Sequence, residues 1–147
     1  MKKRILLIED DTVQALTIRG WLKHYFPNIE IIVTEDEHSF ITQMQVMDEQ
    51  SFSPDLVICD VMLPWITGKG TEGAPDEVVQ GSFREGGIRC WQRFRKRPRH
   101  TQVPWIYFSI LTKEDMGFSK NSDALTAHVQ KEDTIVNFLA KVRKFLV

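Results

Sequence analysis

The chain has 147 residues, a length that favours one domain around a single core. Its 19 Lys and Arg nearly balance 20 Asp and Glu, for a net charge of −1, so no overall field favours nucleic acid or a membrane surface. The apolar runs are too short to span a bilayer, and two cysteines, Cys59 and Cys90, make no disulfide framework, so a reducing cytoplasm is expected.

The opening Met1 to Arg4, followed by Ile5 to Ile8, has the charge order of a secretory signal. Its apolar stretch is only four residues long and ends in Glu9, Asp10 and Asp11, which makes it a first strand, Arg4 to Ile8. A helix is expected from Thr12 to Tyr25, with Asp11 as its N-cap and Val13, Leu16, Trp21 and Leu22 facing inward. Pro27-Asn28 ends it. Ile29 to Val33 reads as strand two. Glu37 to Gln50 reads as a helix, with Phe40, Ile41, Met44 and Met47 at three- and four-residue spacing. Asp55 to Asp60 is strand three, and Cys59 within it is expected to be a buried free thiol.

From Lys69 to Gly86 the chain is rich in glycine and mixed charge, with no clear period, so a long mobile loop or lid is expected. The pattern resumes at Gly87-Ile88-Arg89-Cys90-Trp91, in a helix ending near Arg97. Its basic run, Arg89 to Arg99, carries Trp91 and Phe94; cations at a helix C-terminus with aromatics facing the core explain it better than nucleic acid does. Val103 to Ser109 is strand four. Thr112 to Asp123 makes a poor helix, and a short turn is expected. Leu125 to Gln130 is strand five. Asp133 to Phe145 is the last helix, with Ile135, Phe138, Leu139, Val142 and Leu146 inward. The four histidines show no metal-ligand spacing.

Strands alternating with helices imply an α/β fold with a parallel sheet. In such sheets ligands bind beyond the carboxyl ends of the strands. Glu9, Asp10 and Asp11 end the first strand and Asp60 ends the third. If these strands are neighbours, several carboxylates converge on one pocket. Like charges so close call for a hard, oxygen-liganded divalent cation, most plausibly Mg2+. Asp11 itself fits a helix cap better than a metal ligand.

These residues resemble the receiver domain of two-component response regulators over nearly the whole chain. Ile5 to Asp11 looks like that family's first strand and acid pair. Asp60-Val61-Met62-Leu63-Pro64 with Gly68 looks like its phosphoacceptor segment. Ser109 ends strand four where the family has its switch hydroxyl, and Lys131 follows strand five where it has its lysine. The resemblance implies a flavodoxin-like three-layer sandwich with a five-stranded parallel sheet of order 2-1-3-4-5. It implies a single receiver domain over 1–147, with 69–86 as an insertion. Asp60 would accept a phosphoryl group from a sensor histidine kinase or phosphotransfer protein. Glu9, Asp10, Asp60 and the Met62 carbonyl would hold Mg2+. Ser109 and Lys131 would contact the phosphoryl group, with Lys113 a lesser rival for the cationic role. Such a domain is a phosphoacceptor rather than an enzyme, and signals by protein contact to a downstream target. No output domain, membrane or nucleic acid is implied, and a homodimer is compatible. The residues two after Asp60 and two after Ser109, Met62 and Leu111, would tune the lifetime of the acyl phosphate.

Several positions depart from the family. Ordinary receivers lack the 69–86 segment. Lys131 is followed by Glu132 rather than proline, Ser109 by Ile110 rather than a small residue, and His128 replaces the usual aromatic switch residue. These departures keep a second reading open, a pseudo-receiver that is never phosphorylated. A Mg2+-dependent phosphohydrolase using Asp60 is a third; no second acid is evident for its acid–base work. A flavin module is a fourth, and lacks a hydroxyl-rich phosphate loop after strand one.

Overall fold

A computed structural model describes residues 2–147. Five parallel strands, β1 (Lys3–Ile8), β2 (Ile29–Thr34), β3 (Leu56–Cys59), β4 (Trp105–Ser109) and β5 (Thr126–Gln130), form one sheet of order β2-β1-β3-β4-β5. The helices are α1 (Thr12–Tyr25), α2 (Glu37–Gln50), α3 (Asp76–Gln80), α4 (Gly86–Arg95) and α5 (Ile135–Leu146). β1 and β3 lie side by side, with Ile8 opposite Cys59, so Glu9 and Asp60 leave the sheet together. The alternation of elements implied the parallel α/β fold, and the resemblance implied this three-layer, flavodoxin-like order.

β1 and β3 are apolar on both faces because helices cover both faces of the sheet. On one side Phe40, Met44 and Met47 of α2 and Phe94 of α4 pack with Trp105 and Tyr107. On the other, Ile18 and Leu22 of α1 and Phe138 and Val142 of α5 pack with Ile5, Leu7 and Ile106. Among the described residues no helix is long and apolar enough to cross a membrane.

The inner face of α1 includes the expected Leu22 and partly buried Trp21 but not Val13 or Leu16. Ala15, Ile18 and Leu22 are buried, whereas Val13 and Leu16 are 72% and 60% exposed. The buried residues keep helical spacing, but the stripe is rotated and begins with small Ala15 rather than the larger apolar residues. Asp11 caps the helix, accepting from the amides of Val13 at 2.9 Å and Gln14 at 3.1 Å.

The 69–86 segment is not a featureless loop. It contains α3, whose Val78 is buried, and a 3-10 turn, Phe83–Glu85, capped by Ser82. Asp76 and Glu77 in the first turn of α3 complement its dipole. By contrast, residues 113–120 form turns and a short 3-10 stretch with no α-helix, as expected. Gly117 takes a left-handed φ of 65°, and Asn121 Nδ2 donates to the carbonyls of Met116 and Gly117, closing the turn.

The basic run is mostly ion-paired. Arg89 and Arg93 meet Glu37, Arg93 also meets Glu77, Arg95 meets Asp123 and Arg97 meets Asp48. Phe94 faces the core as expected, stacked on buried His100 at 4.3 Å. Both cysteines are free and buried.

Candidate phosphoryl and metal site

The carboxyl ends of β1 and β3 and the start of the loop after β5 enclose a cavity of about 330 Å3. Its walls include Glu9, Asp10, Asp60, Met62, Phe83, Ile110 and Lys131. Residues distant in sequence meet here because a parallel sheet lines up the carboxyl ends of its strands.

Glu9 and Asp60 are almost fully buried, and one carboxylate oxygen from each of Glu9, Asp10 and Asp60 lies within 4.8 Å of the others. Lys131 Nζ donates to Glu9 Oε1 at 2.6 Å and to Asp60 Oδ2 at 2.9 Å. The other Asp60 oxygen accepts from the Met62 amide at 3.3 Å. Burial and the charge of Asp60 push Glu9 up to about 7, against the opposing pull of Lys131. Burial lowers the Lys131 pKa, but the charges of Asp60 and Glu9 outweigh it and hold the ammonium above its usual value.

Three carboxylates and one ammonium sum to −3 + 1 = −2 when all are ionised. A hard divalent cation matches that deficit, and the all-oxygen donor set suits Mg2+. Glu9, Asp10 and Asp60 fit such an ion by charge and by spacing.

Lys131 reaches the acids with Glu132 after it; its amide donates to the Ser109 carbonyl at 2.7 Å, tying the β5 loop to the end of β4. Ser109 is fully buried at that end, and its Oγ accepts from the Leu111 amide at 3.1 Å. It is the next residue, Ile110, that lines the cavity. Lys113 instead sits over the Phe118 ring at 5.1 Å. Leu111 packs in the core on the α2 and α4 side and lines a different cavity, while Met62 borders the acids. His128, at the family's aromatic position, bonds through Nε2 to the Leu111 carbonyl at 2.7 Å. A carbonyl only accepts, so Nε2 carries the hydrogen. Burial, and to a lesser degree nearby Lys113, hold this imidazole below its usual pKa, with the Leu111 carbonyl opposing.

Phe83 and Gln14 are cavity residues that the sequence did not single out, and Phe83 is the apolar one. The only signal for it was one aromatic in a polar, glycine-rich segment just before Gly86-Gly87. Those glycines are required by close approach. A Cβ on Gly87 would lie 2.8 Å from Val61 Cα and 2.9 Å from the Asp60 carbonyl carbon, and one on Gly86 2.9 Å from Leu63 Cβ. The start of α4 thus packs directly on the loop that carries Asp60.

No protein-family model matches the chain, and no curated protein matches it. Solved structures do. A receiver domain of a signal transduction histidine kinase from Syntrophus aciditrophicus superposes with a TM-score of 0.70 at 19% identity, covering 98% of this chain and 89% of that one. The phosphorylated cyanobacterial phytochrome response regulator RcpA gives 0.69 at 17%, covering 98% and 92%. A receiver domain of a sensor histidine kinase from Pseudomonas aeruginosa, with a magnesium ion coordinated in its active-site cleft, gives 0.68 at 13%, covering 99% and 98%. The chain therefore has the receiver-domain fold over nearly its full length.

Proposed function

We propose that this chain is a phosphorylation-dependent receiver, with Asp60 as the phosphoacceptor. The observation that carries the reading is the approach of Lys131 to both Glu9 and Asp60, from three different strand ends, in a fold shared with receiver domains. The divalent metal seen in the cleft of one structural relative supports Mg2+ as the cofactor.

In this reading the Asp60 carboxylate attacks the phosphorus of a phosphohistidine. The phosphorus–nitrogen bond breaks, the imidazole leaves with the electron pair, and an acyl phosphate forms on Asp60. Glu9, Asp10, Asp60 and the Met62 carbonyl would hold Mg2+, which when bound neutralises charge on the transferring phosphoryl oxygens. Lys131 supplies a second, fixed positive charge to the same oxygens. Ser109 would be the hydroxyl that turns toward the phosphoryl group after transfer, and His128 the ring that responds to it. The added charge, about −1.5 to −2 at neutral pH, is the trigger. The donor is a sensor histidine kinase or phosphotransfer protein, the output is contact with a protein target in the cytoplasm, and the 69–86 segment contributes to partner choice.

Ile110 in the cavity wall favours one second reading, a pseudo-receiver whose pocket is too crowded for phosphoryl transfer. Incubation with phosphoramidate and Mg2+ followed by intact-mass measurement decides. One adduct, absent from Asp60→Asn, supports the receiver. No adduct, with fold intact, supports the pseudo-receiver, and continuous release of phosphate from the donor would instead mean a phosphohydrolase.

A further inference from the structure

Phe83 has a position that the acid cluster does not explain. The residue is 61% exposed, a large apolar side chain to leave in water, yet it lines the same cavity as Asp60, Lys131 and Ile110. Its backbone is held from several directions. The Leu63 amide donates to the Phe83 carbonyl at 2.8 Å. Arg89 Nη2 donates to the Ser82 carbonyl at 3.1 Å, and Arg89 is itself locked to fully buried Glu37. Gly86 and Gly87, just beyond, press on the backbone of residues 60–63. The 69–86 segment thus fixes the backbone of Phe83 against the loop that carries Asp60. Ile110, 49% exposed, borders the same cavity from the end of β4, and Met62 and Pro64 add to an apolar rim around a polar floor.

We propose that Phe83 shields the acyl phosphate on Asp60 from water and so sets its lifetime, an inference that rests on the receiver reading above. The adduct ends when a water oxygen attacks phosphorus. The bond from phosphorus to the Asp60 oxygen breaks, the carboxylate regains the electron pair, the water proton passes to solvent, and inorganic phosphate leaves. Orienting that water is a large part of the catalysis. Apolar Phe83 and Ile110 offer it no hydrogen bond and occupy its approach, so hydrolysis is slow. The device belongs to the insertion.

The test loads wild type, Phe83→Ala, Phe83→Tyr and Ile110→Ala with phosphoramidate and Mg2+, removes the donor, and follows the adduct by intact mass. Phe83→Ala is expected to lose its phosphoryl group at least about tenfold faster than wild type. Phe83→Tyr, which restores the ring, is expected to decay at close to the wild-type rate, and Ile110→Ala faster than wild type. An unchanged thermal midpoint in Phe83→Ala, at a mostly exposed position, separates lost shielding from a damaged fold. Loading of Phe83→Ala but not of wild type would overturn the lifetime role, since the wild-type chain would then carry no acyl phosphate to shield. Equal decay of wild type and Phe83→Ala, or decay of Phe83→Tyr as fast as Phe83→Ala, overturns the shield and leaves the receiver reading standing. No adduct in any of the four removes both.

Discussion

Lys131 Nζ lies 2.9 Å from Asp60 Oδ2 although the two residues are 71 positions apart in sequence. The same ammonium touches Glu9, 122 positions away, so one cation from the end of β5 bridges acids from the ends of β1 and β3. An ion pair so thoroughly removed from water is costly to assemble and is weak evidence of stabilisation. Its placement at the strand ends, where such folds bind ligands, points to chemistry instead.

Asp60→Asn is expected to abolish phosphoryl incorporation while leaving the chain folded. An amide keeps the shape of the side chain but is not a nucleophile. It also lowers the negative charge that demands a cation, so Mg2+ affinity falls with it. Intact mass and Mg2+-dependent tryptophan fluorescence read the two effects, and incorporation at the wild-type level would move the acceptor elsewhere.

Glu9 makes stability depend on pH in a defined direction. Its carboxyl titrates near 4.5 when unfolded and is pushed up to about 7 when folded, so the folded state binds the extra proton between those values. Its contribution is therefore most favourable below pH 4.5, declines as pH rises to about 7, and is constant above, a change on the order of 3 kcal/mol. His100 acts oppositely. Burial, with nearby Arg97, holds it down to about 4, so its contribution is complete above 6.5 and lost as pH falls toward 4. Measuring wild type against Glu9→Gln by urea unfolding at each pH isolates Glu9. The wild-type advantage should shrink from pH 4.5 to 7, and Mg2+, which competes with the proton, should bind more tightly as pH rises through 7. A difference that stays flat with pH would mean that Glu9 is not held up.

Gly87→Ala is expected to disturb the site although Gly87 carries no functional group. The new methyl would press on Val61 Cα and on the Asp60 carbonyl, so α4 or the loop that carries Asp60 must move. Overpacking of this kind costs about 1 to 3 kcal/mol. Urea unfolding together with adduct formation tests it, and wild-type values for both would show that the contact relaxes freely.

The sheet and the acids Glu9, Asp10 and Asp60 could be read in the sequence because each rests on a local, strong pattern, whereas the strand order came from the family resemblance. Short apolar runs bounded by acids mark strand ends, and a parallel sheet brings those ends together. The inner face of α1 was legible only in its second half, at Trp21 and Leu22, because Ala15 carries little hydrophobic weight while exposed Val13 and Leu16 carry more. The order in the 69–86 segment was hidden for a different reason. Its anchors are long-range contacts, such as the Leu63 amide with the Phe83 carbonyl, and no local period records them. Charge partners were hidden in the same way. Cations at a helix C-terminus account for Arg93 and Arg95, but Arg89 near the start of α4 is buried against Glu37, 52 residues earlier.

That buried pair yields the last prediction. Glu37 opens α2 with its side chain fully out of water, and it accepts from Arg89 Nε at 2.9 Å and Nη2 at 2.9 Å, and from Arg93. Arg93 continues to Glu77 of α3 at 3.1 Å, so one acid ties α2, α4 and the 69–86 segment together. Removing one partner of such a network leaves an uncompensated buried charge, and Glu37→Ala is expected to cost about 3 to 5 kcal/mol. Glu37→Gln, which keeps an acceptor, should cost less. Replacing both partners by apolar residues, Glu37→Leu with Arg89→Met, should recover much of the loss, because no charge is then stranded. Loss of the network should also loosen the segment it anchors. Amide exchange in residues 76–87 of Glu37→Ala should speed up more than exchange in β1 and β3. A loss below about 1 kcal/mol would mean that the pair behaves as an exposed surface bridge. Uniform acceleration across the chain would show that Glu37 supports global stability without holding the 69–86 segment in place.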